Sequence, residues 1–584
     1  MAAIVQGLER QIVVLDVVGS IPTSRPISFS CRQITKRSWL TSKGFPIIKG
    51  RPLFVSYTLG ALTLQTFMKI PTGLFLIGVF LTLLPNAFGQ KDQERFVKNE
   101  LLVKFESGSS LAAAEALHAR LGSRVVEKLG ESGWQRVTIR DGLDLMEAIA
   151  RYQRSDPSVQ VQPNFYYRLL ATPNDPQYSN PGLYGLSRIS APSAWDIATG
   201  SSSVVVANID TGMRLTHEDL VSNLWTNPDE IAGNGVDDDN NGFVDDMNGW
   251  DFRFNDNDPS DQHGHGTHTG GTIGAAGNNG VGIVGVNWNV RLMVIKIYNA
   301  AGNDTTSAML INAYNYVRMM KLRGVNIRVS NNSYGGCQEA CGYDQATKDA
   351  IDALGDAGVL NVFAAGNSGQ NTETTPFFPG SYNSPSILNV ASSTSDDTRS
   401  GFSNYGTVSV DLAAPGSGVY STTFGSNSGY GNMSGTSMAA PHVSGAAALL
   451  AAHNPSLSSA SIKATLMNTV DQLPAWQSMV KSGGRLNIAN ALQNPTVCSY
   501  QLSSSSVTLP TKGGAVHITV SAPQNCDFSV KSDSKWISVL TPAVMSGNAV
   551  ISLWVTVNPG ITRSGTVRVN GSPITVTQSR TGIF

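Results

Sequence analysis

From about residue 97 onward the pattern of apolar and polar positions changes character twice, and each stretch predicts a different kind of unit. Asn99 to Phe105 alternates with the two-residue period of a half-buried strand, and Ser110 to Leu121 is rich in Ala and Leu at helical spacing. Val125 to Ile139 reads as a strand pair around Gly130-Glu131-Ser132-Gly133, Leu143 to Tyr152 as a second helix and Val159 to Leu170 as a last strand. Together they predict a small α+β unit. Ala171 to Asn180, punctuated by Pro173 and Pro176, follows as an exposed linker.

Between about 182 and 493 short apolar runs alternate with longer helical patterns. The runs Val204 to Ile209, Leu292 to Ile297, Ile327 to Ser330, Val359 to Ala364 and Ile387 to Ala391 leave no polar face, as in a parallel sheet covered on both sides. Helices are predicted at Thr305 to Arg323, Gln345 to Ala357 and Ser437 to His453. The alternation gives the fold class, α/β with helices on both faces of a parallel sheet, and puts a site at the carboxyl ends of the strands. Beyond about 495 helical signals stop. Alternating runs at Ser505 to Leu509, Ala515 to Val520, Trp536 to Leu540, Val550 to Val557, Gly565 to Asn570 and Ile574 to Gln578 predict a C-terminal all-β sandwich.

A chain of 584 residues has room for about three or four domains. Lys+Arg 41 against Asp+Glu 42 leaves a formal net charge of -1, so no global basic field recruits nucleic acid. Charged residues make up 14%, below the usual share of about 25%, and Gly, Ser, Asn and Thr supply the polarity, which suits a secreted protein.

The leader agrees. Met68-Lys69 precedes an apolar run, Leu74 to Leu84, and Ala87-Phe88-Gly89 before Gln90, which is the layout of a signal peptide over 68–89. Residues 1–67, basic and almost without acidic groups, then read as an upstream extension, with translation starting at Met68. The alternatives are a long n-region or a cell-surface anchor from about Leu53 to Leu84, which Lys69 and Pro71 interrupt. Cys31 lies in the extension. The other cysteines form two local pairs, Cys337/Cys341 and Cys498/Cys526, and an even number of thiols in an exported chain argues for disulfides.

Three separated peptides carry candidate chemistry: Asn208-Ile209-Asp210-Thr211-Gly212, His265-Gly266-Thr267-His268 and Gly435-Thr436-Ser437-Met438-Ala439-Ala440-Pro441-His442. A serine hydroxyl needs a base within hydrogen-bond reach, and the base needs a third group to fix its tautomer. Ser437 as nucleophile, His265 as base and then acid, and Asp210 as orienter fill those roles in an order found in serine peptidases. Ser437 opens a helical stretch, where the helix dipole favours developing negative charge. Ala364-Ala365-Gly366-Asn367 puts an amide on a turn after a strand, so Asn367 and the Ser437 backbone N–H are the candidate oxyanion donors.

These peptides resemble the active-site signatures of the subtilase family, the subtilisin-like serine peptidases, over about 175 to 493. Ser333-Tyr334-Gly335-Gly336 is similar to the family's substrate-binding edge, which implies that Ser333, Tyr334 and Gly335 pair with extended peptide. Ala413-Ala414-Pro415-Gly416 matches a further family segment. The spacing between Asp210 and His265 is wider than in compact members because an Asn/Asp-rich insertion intervenes. The N-terminal unit resembles the propeptide of secreted subtilases, which implies a folding assistant and inhibitor removed between about Phe165 and Asp175. A permanent docking domain is the other reading. The C-terminal unit, with Cys498, Cys526, Trp536, Arg563-Ser564-Gly565 and Gln578, resembles the BACON-type sandwiches of bacterial secreted proteins. That likeness implies a glycan or surface partner, with a passive spacer as the alternative and Trp536 and Trp554 as core residues.

Other constellations compete. His263, His265 and His268 have the alternation of a zinc cluster, although no H-E-x-x-H helix is present, so a metal-dependent hydrolase stays open. His217, His268 and His442 read as structural. In the insertion, Asp237, Asp239, Asn241 and Asp245 offer side-chain oxygens at alternate positions around Gly242, and Phe243 offers a carbonyl, which predicts a structural Ca²⁺ loop. Asn248 stands where a bidentate Glu closes an EF-hand, and the alternative is a solvated acidic loop.

The sequence therefore predicts a secreted serine endopeptidase, made as a self-processed zymogen, acting on peptide substrates without an organic cofactor. A non-catalytic adhesion protein on the same scaffold is the rival from another class. The boundaries expected are 1–67 extension, 68–89 signal peptide, 90–171 propeptide, 172–493 peptidase and 494–584 β-sandwich.

Overall fold

The computed structural model describes the backbone of residues 55–59, 62–66 and 80–81, and residues 96–106, 110–140, 142–166, 171–336 and 343–580 in full. The chain forms two compact units, Met1–Asp92 and Gln93–Phe584. In the first, Val55–Leu59 pairs antiparallel with Leu62–Thr66, which pairs with Phe80–Leu81. Apart from these strands, the expected extension and signal peptide lie outside the described residues, as does the Cys337/Cys341 pair. Among the described residues no helix is long and apolar enough to cross a membrane.

At the start of the second unit, Arg124–Lys128, Trp134–Thr138, Phe96–Lys104 and Gln160–Phe165 form an antiparallel sheet in that order. Helices Leu111–Arg120 and Leu145–Ser155 belong to the same unit, capped by Ser110 and Asp144, whose side chains accept from the N–H groups of Ala113 and Glu147. Leu101 and Val103, two apart on their strand, meet Leu117, Ile149 and Tyr152 from the helices in one core. All the predicted elements of this unit form, with ends displaced by a few residues.

The central sheet has nine strands in the order Asp471–Gln472, Gly484–Arg485, Leu412–Pro415, Ile387–Ser393, Leu360–Ala364, Ile327–Asn332, Gly200–Asp210, Asn289–Lys296 and Gly249–Asp251. Its pairings are parallel except that between the first two strands. Gly200–Asp210 lies between Asn289–Lys296 and Ile327–Asn332, so the chain leaves it to one side and crosses back to the other. That reversal opens a crevice at the carboxyl ends of the strands. Alternate residues of the strands feed two cores. Val206, Leu292 and Val294 face helix Thr436–His453, and Val205, Met293 and Ile295 face helices Ser307–Leu322 and Gln345–Asp356. Helix Thr436–His453 is apolar round most of its circumference and is buried accordingly.

The C-terminal residues form two packed sheets. One runs Gln501–Leu502, Gly514–Ser521, Ala549–Val555, Ile537–Val539, and the other Ser506–Leu509, Ser572–Gln578, Arg563–Val569, Asp527–Ser532, Val544–Ser546. Ile518, Phe528, Leu553, Val567 and Val576 fill the space between them. Trp536 packs beneath the Arg563 guanidinium, 4.2 Å from the ring centre, whereas Trp554 is 48% exposed and is not core. Cys498 and Cys526 are joined in a disulfide, as their pairing predicts. The Cys498 N–H donates to Ser461 Oγ at 3.0 Å, so the bridge sits against the helix Ser459–Asn468.

Candidate active site

Asp210 ends the central strand at the crevice, and His265 opens the helix His265–Gly274. His265 Nδ1 donates to Asp210 Oδ1 at 2.7 Å. A carboxylate can only accept, so this bond fixes the proton on Nδ1 and leaves Nε2 as an acceptor in the neutral ring. Asp210 is itself held by the Thr211 N–H on Oδ1, 2.8 Å, and by Thr269 Oγ on Oδ2, 3.2 Å. Burial, the largest effect on His265, disfavours its charged form. The Asp210 charge and hydrogen bond, joined by the Asp261 charge, outweigh burial and raise the imidazole pKa above 6.5.

Ser437 is the second residue of helix Thr436–His453. Its hydroxyl donates to the Ser333 carbonyl at 3.0 Å rather than to His265, so among the described residues the nucleophile–base bond is not the one made. Asn367 Oδ1 accepts from both the N–H and the Oγ of Thr436, at 2.8 and 3.0 Å, which fixes the amide with its NH₂ on the cleft side. A Cβ built on Gly435 would stand 3.5 Å from Asn367 Nδ2 and 3.6 Å from Ser437 N. Two N–H donors therefore border one small space, and glycine at 435 keeps that space empty. Asp210, His265, Ser437, Asn367, Ser333, Tyr334 and Gly335 all line one cleft of about 230 Å³. Tyr334 turns its phenol inward, onto Tyr314 Oη at 2.7 Å and Asn332 Oδ1 at 2.9 Å, so this segment offers the cleft its backbone.

Beneath the cleft lies a polar network that sequence reasoning missed. Asn331 Nδ2 donates to Asn208 Oδ1 at 3.0 Å and to Ser333 Oγ at 3.1 Å, and Asn331 Oδ1 accepts from Ser444 Oγ at 2.9 Å. Asn208 Nδ2 donates to the Gly266 carbonyl at 3.0 Å. Asn208, Asn331, Ser444 and Thr269 are fully buried. They tie the strand of Asp210, the helix of His265 and the helix of Ser437 into one frame. The only hint in the sequence was amides inside apolar strands, which must find partners when buried.

The histidine alternation does not form a metal cluster. His268 Nε2 bonds to the carbonyls of Val419 and Gly431 at 3.1 and 3.2 Å, away from His265, and burial lowers its pKa to about 4. His442 is likewise lowered to about 4 by burial, with Nδ1 on the Met438 carbonyl at 2.9 Å. His217 Nε2 donates to the Gly429 carbonyl at 2.9 Å, and its Nδ1 accepts from the Asp219 N–H.

In the insertion, Glu230, Asp237 and Asp239 each present an oxygen, and these lie within 4.8 Å of one another. Of the expected calcium ligands, Asp237 and Asp239 belong to this cluster. Asp245 instead accepts from the N–H groups of Asn234 and Gly235, and Asn241 Oδ1 accepts from the Phe243 N–H at 2.7 Å. Phe243 packs its ring on Trp250 and Tyr316. Glu230 lies outside the loop spacing and so was not anticipated. Three carboxylates with oxygen donors only suit a hard divalent cation.

Past the last strand of the N-terminal unit, the chain is docked on the central α/β core. The Ala171 N–H donates to Asp196 at 2.6 Å, Asn174 Oδ1 accepts from Gly280 at 2.8 Å, and Asp175 accepts from the Asn278 N–H at 2.7 Å.

A family model described as the Subtilase family matches residues 201–497, and one described as the Fervidolysin N-terminal prodomain matches residues 84–164. Thermitase of Thermoactinomyces vulgaris is 36% identical over 55% of this chain and 99% of its own length. A thermophilic serine proteinase of Bacillus sp. (strain AK1) is 32% identical over 59% of this chain and 76% of its own. An extracellular basic protease of Dichelobacter nodosus is 36% identical over 48% of each chain. A solved structure of proteases from Pseudoalteromonas arctica aligns at 30% identity over 55% of this chain and 99% of that chain, with a TM-score of 0.45.

Proposed function

The chain belongs to the subtilase family as a serine endopeptidase made as a zymogen, and on that premise we propose that Asp210, His265, Ser437 and Asn367 carry its chemistry. Ser437 Oγ turns from the Ser333 carbonyl to His265 Nε2, yields its proton and attacks the scissile carbonyl. Asp210 keeps Nδ1 protonated and stabilises the imidazolium. The oxyanion that forms accepts from the Ser437 N–H and Asn367 Nδ2. The imidazolium then protonates the departing amine, and a water deprotonated by His265 releases the acyl group from Ser437. Substrate lies extended against the backbone of Ser333 to Gly335.

The single observation that carries this reading is the 2.7 Å bond between His265 and Asp210 in the cleft that also holds the Ser437 hydroxyl and two convergent N–H donors. The test expresses the wild type beside Ser437→Ala and follows precursor processing and casein cleavage. The variant stays unprocessed and inactive; equal processing of both proteins removes self-cleavage, and equal casein cleavage removes Ser437.

The propeptide is proposed to inhibit through its last strand and to be cut near Ala171, since the chain from there on is held by Asp196, Gly280 and Asn278. The carboxylates of Glu230, Asp237 and Asp239 are proposed to hold Ca²⁺ as a brace for the insertion. Chelation then speeds thermal inactivation and added Ca²⁺ reverses it; an inactivation rate indifferent to chelator ends that proposal. Action outside the cell is proposed from the Cys498–Cys526 disulfide, a bond favoured in oxidising compartments. A glycan or surface partner for the C-terminal sandwich rests on the exposed indole of Trp554 and is tested by binding to immobilised polysaccharide.

A further inference from the structure

The catalytic reading fixes where the reacting carbonyl sits, and Phe377 stands beside that place without any role in the chemistry. A carbonyl attacked by Ser437 and held by Asn367 is one bond from the Cα that precedes the scissile bond. The side chain on that Cα must enter between the two backbone segments that flank the donors, Ser333–Gly336 on one side and Ala364–Gly366 on the other. The Phe377 ring bridges that gap. A Cβ added to Gly335 would lie 2.3 Å from Phe377 Cε1, and one added to Gly366 would lie 2.8 Å from Phe377 Cγ. Neither distance is compatible with an atom there, so the ring rests directly on both glycines and occupies the space that their missing side chains leave.

The backbone that carries the ring is also held in place. The Phe377 N–H donates to Ser381 Oγ at 3.0 Å, its carbonyl accepts from the Ser381 N–H at 2.9 Å, and the Gly336 N–H donates to the Phe378 carbonyl at 2.7 Å. Tyr298 and His263 line the same cleft as Phe377.

Resting on the reading above, we infer that Phe377 closes the pocket for the residue on the acyl side of the scissile bond, and that this peptidase cleaves after small residues such as alanine, glycine and serine. A ring standing across that gap leaves room for a methyl group and crowds a phenyl or an isobutyl group. Overfilling a pocket of fixed backbone forces shifts that cost rate in the transition state.

The experiment uses the self-processed enzyme and a set of chromogenic tetrapeptides that differ only in the residue before the leaving group: Ala, Leu or Phe. The wild type turns over the Ala peptide with kcat/KM about 10-fold or more above the Phe peptide, and Phe377→Ala reverses that order while changing the Ala rate only a few-fold. Cleavage sites of the wild type in casein, read by mass spectrometry, give the same preference without any variant. A wild type that favours Phe or Leu, or a Phe377→Ala variant with unchanged order, overturns the inference and leaves the peptidase reading intact. A wild type that cleaves none of the peptides and no casein overturns the peptidase reading, and this inference falls with it.

Discussion

Ser333 and Ser437 hold each other: Ser437 Oγ donates to the Ser333 carbonyl at 3.0 Å, and Ser333 Oγ donates to the Ser437 carbonyl at 2.9 Å. On the proposed reading the nucleophile therefore rests on the substrate edge, and activation turns its hydroxyl from Ser333 towards His265. Labelling by a sulfonyl fluoride separates holding from activation. Wild type and Ser333→Ala react at Ser437, whereas His265→Ala does not; comparable labelling of His265→Ala would mean that the imidazole is not the activating base.

Asn367 is fixed by Thr436 before any substrate arrives, so its NH₂ is pre-aimed and costs nothing to orient during reaction. Asn367→Ala lowers kcat by about 10²–10³ with KM little changed, a magnitude carried over from removal of such a donor in this family. A fall confined to KM would reassign Asn367 to ground-state binding.

Asp261 sets part of the acid limb. It raises the His265 pKa after Asp210, while burial, the largest effect, pulls the other way. The base works only when neutral, so activity is lost as pH falls through that raised value. Asp261→Asn removes a negative charge, lowers the His265 pKa and moves the acid limb of kcat/KM to lower pH. Asp261 also accepts from Thr211 Oγ, from the N–H groups of His263 and Gly264, and from Thr267, so the variant loses stability as well. The position of the limb, not the height of the profile, is the readout, and an unmoved limb rejects the electrostatic role.

Which parts were legible follows from where the information sits. Strands such as Leu360–Ala364 are buried on both faces, so their apolar runs declare them, and the short peptides around Asp210, His265 and Ser437 declare the family. The helix His265–Gly274 was not legible, because Gly266, Gly270 and Gly271 lack helix propensity. It forms because close packing needs them: a Cβ on Gly271 would meet Thr422 Oγ at 2.2 Å, and one on Gly266 the Gly212 carbonyl at 2.1 Å. Glu230 joins Asp237 and Asp239 through a turn of the insertion, and Phe377 reaches Gly335 and Gly366 from a separate loop. Neither contact leaves a spacing signature, because only tertiary folding brings the partners together.

A buried ion pair secures the seam between the peptidase core and the sandwich. Lys463 Nζ donates to Asp527 Oδ2 at 2.7 Å, with Asp411 at 4.0 Å, and all three residues are buried. Burial, the largest effect on Lys463, opposes its charge, but Asp411 and Asp527 outweigh it and raise its pKa. Burial likewise opposes the Asp527 charge, but Lys463 and Lys481 hold that carboxyl below its ordinary value. The raised lysine stabilises the fold at pH below its unfolded value and loses that contribution as pH climbs through the folded one. The depressed carboxyl stabilises above its unfolded value and loses that contribution on acidification. Both contributions are present between about pH 4 and pH 10. Lys463→Ala leaves the buried carboxylates of Asp527 and Asp411 to the partly exposed Lys481, 3.6 and 4.0 Å away, and costs up to about 3–5 kcal/mol. Lys463→Met combined with Asp527→Leu removes the lysine together with its nearest carboxylate and recovers much of that loss. Thermal unfolding of both variants in the Ser437→Ala background, which prevents autolysis, measures the difference. If Lys463→Ala unfolds no earlier than its parent, the ion pair does not secure this seam.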